Sequence, residues 1–351
     1  MPPPPDLSSY RLSEQDSHRI FTTEILPVEF HDFPSQPSPP STTAVGHHHH
    51  HHHHQQRQAL AVLVVGQTGA GKTRLSPAIL SGMRLVNVSQ PPVHLIADTY
   101  KTYHPSYAHL METAPQHASP ATGPDARKWL AMASEEVTRR RLNVLLESAC
   151  RHPSDFKDLV RIFSAAGYRV EIVLLAVPAA LSMLGIQLRY HEKLPEAQSR
   201  NLPVRLTPAK VHDDSYAGLM DAAAFLDQSA LADQVLVVRR GNMVAYGVSK
   251  TSDGKMDVGE TTIAAALARE RHRPLTPEEA QTASADLQKL GDYEDGSNVV
   301  ERVKGMLQSV VSDTTDQDES IHDWPVLKPL RFAEADSEAG DSFNVLRLGY
   351  L

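Results

Sequence analysis

The clearest chemical pattern in the sequence is a glycine-rich segment, Gly66-Gln67-Thr68-Gly69-Ala70-Gly71-Lys72-Thr73. It matches in full the phosphate-binding pattern G-x-x-x-x-G-K-S/T, which is called the P-loop. The glycines let backbone N–H groups turn toward phosphate oxygens, and a helix that starts here adds the positive end of its dipole. An accidental match is the alternative, but the segment follows the apolar run ALAVLVV and precedes a helical pattern. We therefore predict that residues 66–73 bind ATP, with Lys72 at the β- and γ-phosphates and the Thr73 hydroxyl on Mg²⁺.

Two carboxylates follow apolar runs that have the length of buried strands. Asp98 comes after VHLIA, and Glu147 comes after NVLL. Ligands in open α/β sheets bind beyond the carboxyl ends of the strands. A P-loop enzyme needs a carboxylate to organise Mg²⁺, and a kinase also needs a base for the proton of the attacking hydroxyl. These residues alone leave the division of the two roles open, and capping of the next helix is the simpler alternative for each acid.

Two arginines lie in and just after the segment where a lid over the nucleotide would fall. They are Arg189, in LGIQLRYHEK, and Arg205, in NLPVRLTPAKVHD. Arginine commonly stabilises the charge that spreads over the transferring phosphoryl oxygens. For either arginine alone, a solvated helix face is the simpler interpretation.

The elements that must position these side chains alternate between short apolar runs and helical patterns. This alternation predicts an α/β fold with a doubly wound, mostly parallel sheet, of the P-loop NTPase, kinase-like class. Strands are predicted at 60–65, 93–97, 143–147, 169–177 and 234–239, with an edge hairpin at 243–248. Helices are predicted at 125–142, 154–166, 179–194 and 207–227, and two more begin near Thr276 and Ser297.

The composition divides the chain into three parts. Residues 1–58 hold a predicted helix at 14–25, a Pro/Ser-rich stretch and eight consecutive histidines at 47–54, which are either natural or engineered. Residues 59–250 form the predicted kinase core. Residues 251–351 form a predicted helical C-terminal extension with acidic segments at 313–319 and 333–341, which favour a solvated surface.

Charge and cysteine content restrict the partners and the compartment. A formal net charge of −8 gives no basic field for nucleic acid or an anionic membrane. We find no apolar run of about 18 residues and no secretory leader pattern. The single cysteine, Cys150, forms no internal disulfide, so a cytoplasmic protein is expected.

The order of these motifs resembles that of the zeta toxins, a family of bacterial P-loop kinases. The resemblance covers about residues 10–273. It rests on the P-loop, on Asp98-Thr-Tyr-Lys-Thr-Tyr-His104-Pro105 as a form of D-x-F/Y-K/R-x-x-H-P, and on Glu147, Ala176-Val177-Pro178, Arg189-Tyr190 and Arg205-x-Thr207-Pro208-x-x-x-His212-Asp213.

The resemblance implies transfer of the ATP γ-phosphate to the 3′-hydroxyl of the sugar in UDP-N-acetylglucosamine. By the same resemblance Asp98 is the base, and Arg189 and Arg205 stabilise charge. Glu147, Arg151 and His104 then contact the nucleotide sugar. A small helical antitoxin that covers the nucleotide site is the partner that the family implies.

One departure from the family concerns the acceptor. Where members carry Glu-Gly-Thr-x-Arg, this chain carries Glu147-Ser-Ala-Cys-Arg151, so a glycine and a hydroxyl donor are both replaced. A hydrogen bond lost in this way is worth about 0.5–1.5 kcal/mol. Two alternatives therefore stay open: a kinase for another hydroxyl acceptor, such as a dinucleotide, nucleoside or other nucleotide sugar, and a nucleotide-binding module without turnover.

Overall fold

A computed structural model of the chain describes residues 5–33, 58–88, 90–200, 204–257, 259–293, 297–312, 324–334 and 343–350. The histidine tract, nearly all of the Pro/Ser-rich stretch and the acidic segment at 313–319 lie outside these ranges.

The strands among the described residues are β1 Leu60–Val65, β2 Val93–Ile96, β3 Val144–Ser148, β4 Arg169–Leu175, β5 Gln234–Arg239, β6 Met243–Ser249, β7 Lys328–Pro329, β8 Arg331–Phe332 and β9 Val345–Leu346. The centre of the molecule is a seven-stranded sheet in the order β2-β3-β1-β4-β5-β6-β7, accompanied by a two-stranded pair, β8 and β9. β1 to β5 are parallel, whereas β6 and β7 are antiparallel to their neighbours. The predicted doubly wound, mostly parallel sheet is confirmed.

Helices cover both faces of this sheet. They are α1 Glu14–Ile20, α2 Leu26–Glu29, α3 Lys72–Val86, α4 Ala97–Tyr100, α5 Tyr107–Thr113, α6 Pro115–Arg140, α7 Pro153–Ala165, α8 Ala179–Ser199, α9 Ala209–Ser229, α10 Ile263–His272, α11 Pro277–Gly291 and α12 Ser297–Ser312. A π-helical turn, Phe21–Ile25, joins α1 to α2. The predicted cap of α11 is present in full, since Thr276 and Glu279 form a reciprocal capping box.

The central strand β1 shows why two layers of helices are needed. All six of its residues are buried, because alternate side chains enter opposite cores. One core contains Ala61, Leu63 and Val65 and packs against α1, α6, α7, α9 and α10. The other contains Leu60, Val62 and Val64 and packs against α3, α8, α11 and α12. Burial of each Leu or Val contributes about 1.5–3 kcal/mol.

Helix α6 starts at Pro115, ten residues before the predicted start at residue 125, and is therefore longer than predicted. The added segment, PQHASPATGP, contains prolines that normally end a helix. Here Pro115 lies in the first turn, and tertiary packing buries Ala118, Ala121 and Thr122 on the inner face. Burial therefore overrides local preference in this segment.

The C-terminal extension is held to the sheet by buried polar contacts. The carboxylate of Glu171, on β4 and fully buried, accepts hydrogen bonds from the backbone N–H of Leu348 at 2.8 Å and of Gly349 at 2.9 Å. Leu346 and Leu348 are buried in the same core as α3. No helix among the described residues combines the length and apolarity needed to cross a bilayer.

Candidate active site

The loop between β1 and α3, residues 66–71, has a backbone that only glycine accommodates at two positions. Gly69 and Gly71 have φ angles of +83° and +99°. A Cβ atom on Gly69 would also lie 2.1 Å from the carbonyl oxygen of Ser182 on α8. We call residues 66–73 the phosphate cradle, because this conformation opens the N-terminus of a fifteen-residue helix toward the loop.

Lys72, the lysine of the cradle, is bonded to the loop backbone and is influenced by two carboxylates. Its ammonium donates to the carbonyl oxygens of Gly66 at 2.7 Å and Gln67 at 3.3 Å. Burial lowers the pKa of Lys72 to about 8, although the carboxylates of Glu147 and Asp98 act in the opposite direction. The predicted lysine, base and second acid are therefore close enough to influence one another.

Asp98 lies in the first turn of α4, directly beyond the carboxyl end of β2. Its side chain is 82% exposed, and Lys101 donates to one carboxylate oxygen at 2.5 Å. Desolvation inside the cleft raises the pKa of Asp98, but Lys101, Lys72 and Arg189 outweigh it and hold that pKa below its usual range. The carboxylate is therefore ionised at neutral pH and faces open space.

A cavity of about 570 Å³ lies beside the cradle and brings together five of the predicted residues. We call it the acceptor cleft. The predicted residues that line it are Thr68, Asp98, Arg151, Arg189 and Arg205. Its volume is within the usual range for small-molecule sites.

Two of the cleft arginines carry a buried Nε–H without a hydrogen-bond partner. They are Arg151 and Arg205. The Arg151 Nε lies 3.6 Å from a carboxylate oxygen of Asp214. Burial lowers the pKa of Arg205, partly opposed by Tyr107 and Asp98. Buried donors without partners are costly unless a ligand satisfies them, so these groups fit an anion in the cleft.

Glu147, which the sequence predicts as a substrate contact, is buried against α3. It is only 4% exposed and is not among the residues that line the acceptor cleft. One carboxylate oxygen accepts a hydrogen bond from the Ser76 hydroxyl on α3 at 2.5 Å and lies 3.0 Å from the His94 ring. Desolvation raises the pKa of Glu147, but His94, Ser76 and Lys72 outweigh this and lower it. Glu147 is thus an ionised acid beneath the start of α3.

His104 is not brought to the cleft. It is 3% exposed, its Nε2 lies 3.0 Å from the carbonyl oxygen of Tyr10, and its Nδ1 accepts from the Ser106 backbone N–H. The ring is also 3.4 Å from the carboxylate of Asp125. These contacts attach the N-terminal segment to the turn after Asp98. Its predicted substrate contact stays a prediction that this geometry does not support.

A magnesium site of the P-loop type is compatible with the residues present. Among the described residues no group of three or more His, Cys, Asp or Glu could hold a metal ion. Mg²⁺ in nucleotide sites needs no such cage, since it binds phosphate oxygens, waters and one or two protein groups. Thr73 is exposed in the first turn of α3, and Glu147 is an ionised acid on the strand next to β1. These two residues fit the ion.

Several residues at the site were missed by sequence reasoning. Lys101 belongs to the D-x-F/Y-K/R motif, which was a usable signal. Arg127 lines the cleft from α6, and Arg240 donates to the carbonyl oxygens of Gly69 at 2.9 Å and Leu181 at 2.8 Å. No local pattern marks these two arginines.

Comparison with known families identifies the family to which the chain is similar. The family model described as "Zeta toxin" matches residues 44–251 of the chain. The chain is 24% identical to Toxin PezT of Streptococcus pneumoniae over 204 residues, which cover 57% of this chain and 76% of that protein. It is also 24% identical to Toxin zeta of Enterococcus hirae over 222 residues, which cover 63% of this chain and 72% of that protein.

Comparison with solved structures supports the fold. A structure from a study of the PezAT chromosomal toxin-antitoxin system of Streptococcus pneumoniae matches with a TM-score of 0.60 at 18% identity. The match covers 81% of this chain and 97% of that one. The similarity therefore extends beyond the segment matched by the family model.

Proposed function

The chain belongs to the zeta toxin family, and on this premise we propose that it is an ATP- and Mg²⁺-dependent kinase that phosphorylates a sugar hydroxyl of UDP-N-acetylglucosamine. The observation that carries the proposal is the convergence of an ionised, exposed carboxylate, Asp98, with the lysine of a complete P-loop and two cleft arginines. This convergence is what in-line phosphoryl transfer requires.

Asp98 is the base in this proposal. The acceptor hydroxyl gives its proton to the Asp98 carboxylate, its oxygen forms a bond to the γ-phosphorus, and the bond to the β-phosphate oxygen breaks to release ADP. The lowered pKa of Asp98 keeps the carboxylate ready to accept that proton at neutral pH. Lys72, Arg189 and Arg205 stabilise the negative charge on the transferring group.

Mg²⁺, when bound, neutralises charge between the β- and γ-phosphates. Thr73 would hold it directly and Glu147 through water. The burial of Glu147 under α3 supports this role over a direct sugar contact. The roles that the sequence left open between the two acids are divided in this way.

A second acceptor is favoured by one observation. Ser148 and Ala149 line the cleft where the family carries glycine and threonine, and the Ser148 hydroxyl already accepts a hydrogen bond from the Cys150 backbone N–H at 3.2 Å. A different nucleotide sugar is therefore the alternative substrate. By analogy with the PezAT system, we also propose a small antitoxin protein as a partner.

The test is incubation of the full chain with ATP, Mg²⁺ and a panel of nucleotide sugars, dinucleotides and nucleosides, followed by mass spectrometry. We expect one phosphoryl group on UDP-N-acetylglucosamine and a rate about 10²–10⁴-fold lower for Asp98→Asn, with ATP binding retained. The matched control is Asp158→Asn, since Asp158 also lines the cleft but pairs with Arg161 at 3.0 Å. Phosphorylation of another panel member would move the substrate, and ATP binding without any product would contradict kinase activity.

A further inference from the structure

The second residue of the phosphate cradle, Gln67, is fully buried and has a partner at each polar atom. Its Nε2 donates to the carbonyl oxygen of Val177 at 2.7 Å and to the Ser182 hydroxyl at 3.2 Å. Its Oε1 accepts from Nη2 of Arg271 at 3.3 Å. Its side chain is therefore held inside the protein by protein partners alone.

Arg271 reaches Gln67 from α10, in the C-terminal extension and outside residues 44–251. It is only 4% exposed. Its Nη1 donates to the carbonyl oxygen of Tyr216 at 2.7 Å, and its guanidinium lies 3.7 Å from the centre of the Tyr216 ring. The stacking fixes the plane of the guanidinium and so the direction of the bond to Gln67.

The contacts close into a ring of five side chains. The Tyr216 ring stacks on His212 with centroids 5.9 Å apart, and the Nε2 of His212 lies 2.7 Å from the Ser182 hydroxyl, which contacts Gln67 in turn. We call Gln67, Ser182, His212, Tyr216 and Arg271 the Gln67 ring. Its members lie on the cradle, α8, α9 and α10.

The Gln67 ring also reaches the backbone of the cradle. The N–H of Thr68, next to Gln67, donates to the Ser215 hydroxyl at 3.2 Å, and Ser215 lies between His212 and Tyr216 on α9. The direction of N–H groups in this loop determines how well they meet phosphate oxygens. A shift of Gln67 therefore changes the geometry of the cradle itself.

We propose that Arg271 is a positioning residue for the nucleotide site, which sets the cradle through Gln67 and Tyr216. The inference rests on the proposed function, since it assumes that the cradle binds ATP. It assigns to the C-terminal extension a part in nucleotide binding. Arg271 does not touch the nucleotide in this proposal, because its two terminal nitrogens bind Tyr216 and Gln67; its buried Nε has no hydrogen-bond partner among the described residues.

The test is calorimetric titration of the full chain with ATP in the presence of MgCl₂, for the wild type and Arg271→Met. Loss of a charged donor to a buried partner predicts a Kd for ATP raised roughly 10- to 100-fold. In the kinase assay the KM for ATP rises in parallel while kcat falls less than about threefold, the signature of lost uniform binding. Arg271→Lys recovers only part of the affinity, because an ammonium cannot stack and bridge as a planar guanidinium does.

The matched control is Arg269→Met, on the same helix. Arg269 is 30% exposed and lies 3.3 Å from Glu270, so the variant keeps the Gln67 ring intact and the wild-type Kd. A merely structural role for Arg271 would lower the melting temperature and the active fraction without changing the KM for ATP. That result would overturn the inference, as would an unchanged Kd in folded Arg271→Met.

A second variant covers the case in which Arg271→Met does not fold. Tyr216→Leu removes the stacked ring but keeps its backbone carbonyl, and it should raise the Kd for ATP about threefold. Wild-type affinity in that variant would overturn the inference. If the wild type itself bound no ATP with MgCl₂, the proposed function would fail and this inference with it, whereas ATP binding that is insensitive to both variants would refute the inference alone.

Discussion

The phosphate cradle and the acceptor cleft lie side by side but are built in opposite ways. In the cradle the groups that shape the loop are already paired: the side chain of Gln67 is fully buried with partners at both polar atoms, and Arg240 donates to the carbonyl oxygen of Gly69. In the cleft Asp98 is 82% exposed, and Arg151 and Arg205 each keep a buried Nε–H without a partner. The protein itself completes the contacts that shape the cradle, whereas in the cleft it leaves buried side-chain donors for a ligand to complete.

This difference between the cradle and the cleft follows from what each of them must bind. The triphosphate is the same in every turnover, so a rigid cradle loses little entropy on binding and needs no adjustment. Charge develops on the transferring group only during the reaction, and unpaired donors that meet it there stabilise the transition state more than the ground state. Changes in the cradle should therefore affect ATP affinity, whereas changes in the cleft should affect turnover.

The largest effect is expected for Lys72, the lysine of the cradle. Lys72→Met should lower kcat/KM for ATP about 10³-fold, because it removes the cation nearest the transferring phosphates. Both the Kd for ATP and kcat should change, measured by calorimetry and by steady-state kinetics. The control is Lys128→Met, since Lys128 is exposed on α6, pairs with Glu14 and is not among the residues that line the acceptor cleft. Turnover at the wild-type level in Lys72→Met would refute the assignment of the cradle.

A smaller effect, which distinguishes the cleft from the cradle, is expected when Arg205 in the cleft and Arg240 at the cradle are each replaced by alanine. Arg205→Ala should lower kcat about 10²-fold with an unchanged Kd for ATP. The free energy of unfolding should stay the same or rise, since the variant removes a buried donor without a partner. Steady-state kinetics and urea unfolding measure the two quantities.

Arg240→Ala provides the matched comparison. It leaves the carbonyls of Gly69 and Leu181 without their donor and should cost about 1–3 kcal/mol of unfolding free energy. It should also weaken ATP binding. If the two variants behaved alike in kinetics and in unfolding, the contrast between a completed cradle and an incomplete cleft would be wrong.

The cradle and the strand-end acids were predictable because each depends on local sequence. Glycine spacing fixes the cradle, and an acid after a buried strand lies at the ligand edge of a parallel sheet. Asp98 lies just beyond β2, Glu147 is the next-to-last residue of β3, and β1 and β5 have the predicted bounds. The direction in which a side chain points was not predictable, since the motif that contains Asp98 also contains His104, which turns into the protein.

The partners that complete the cradle were not predictable for a different reason. Arg240 lies 171 residues from Gly69 in sequence, and Arg271 lies 204 residues from Gln67. No local pattern distinguishes these arginines from those on solvated helix faces. The turn between β5 and β6 brings Arg240 to the loop, and α10 brings Arg271 there.

The smallest expected effect is a difference in the pH dependence of the two halves. Burial lowers the pKa of Lys72 to about 8, so the free protein loses this cation as the pH rises through about 8. Because kcat/KM reports the free enzyme, kcat/KM for ATP should fall above this pH, approaching tenfold per unit. At saturating ATP the phosphates favour the charged lysine and raise its pKa, so kcat should stay level to higher pH. Rate–pH profiles at low and saturating ATP measure both quantities.

The fall in activity at low pH, the acid limb of the rate–pH profile, reports protonation of Asp98 and should respond to a change at Lys101. Asp98 must be ionised to act as base, so activity falls as the pH drops through its lowered pKa. Lys101→Met removes the cation that bonds this carboxylate at 2.5 Å, which raises the pKa of Asp98 and moves the acid limb to higher pH. The alkaline limb should stay in place, since Lys101 is not among the groups that shift the pKa of Lys72. If both limbs moved together, the cradle and the cleft would titrate as one unit, and their separation into a completed half and an open half would not hold.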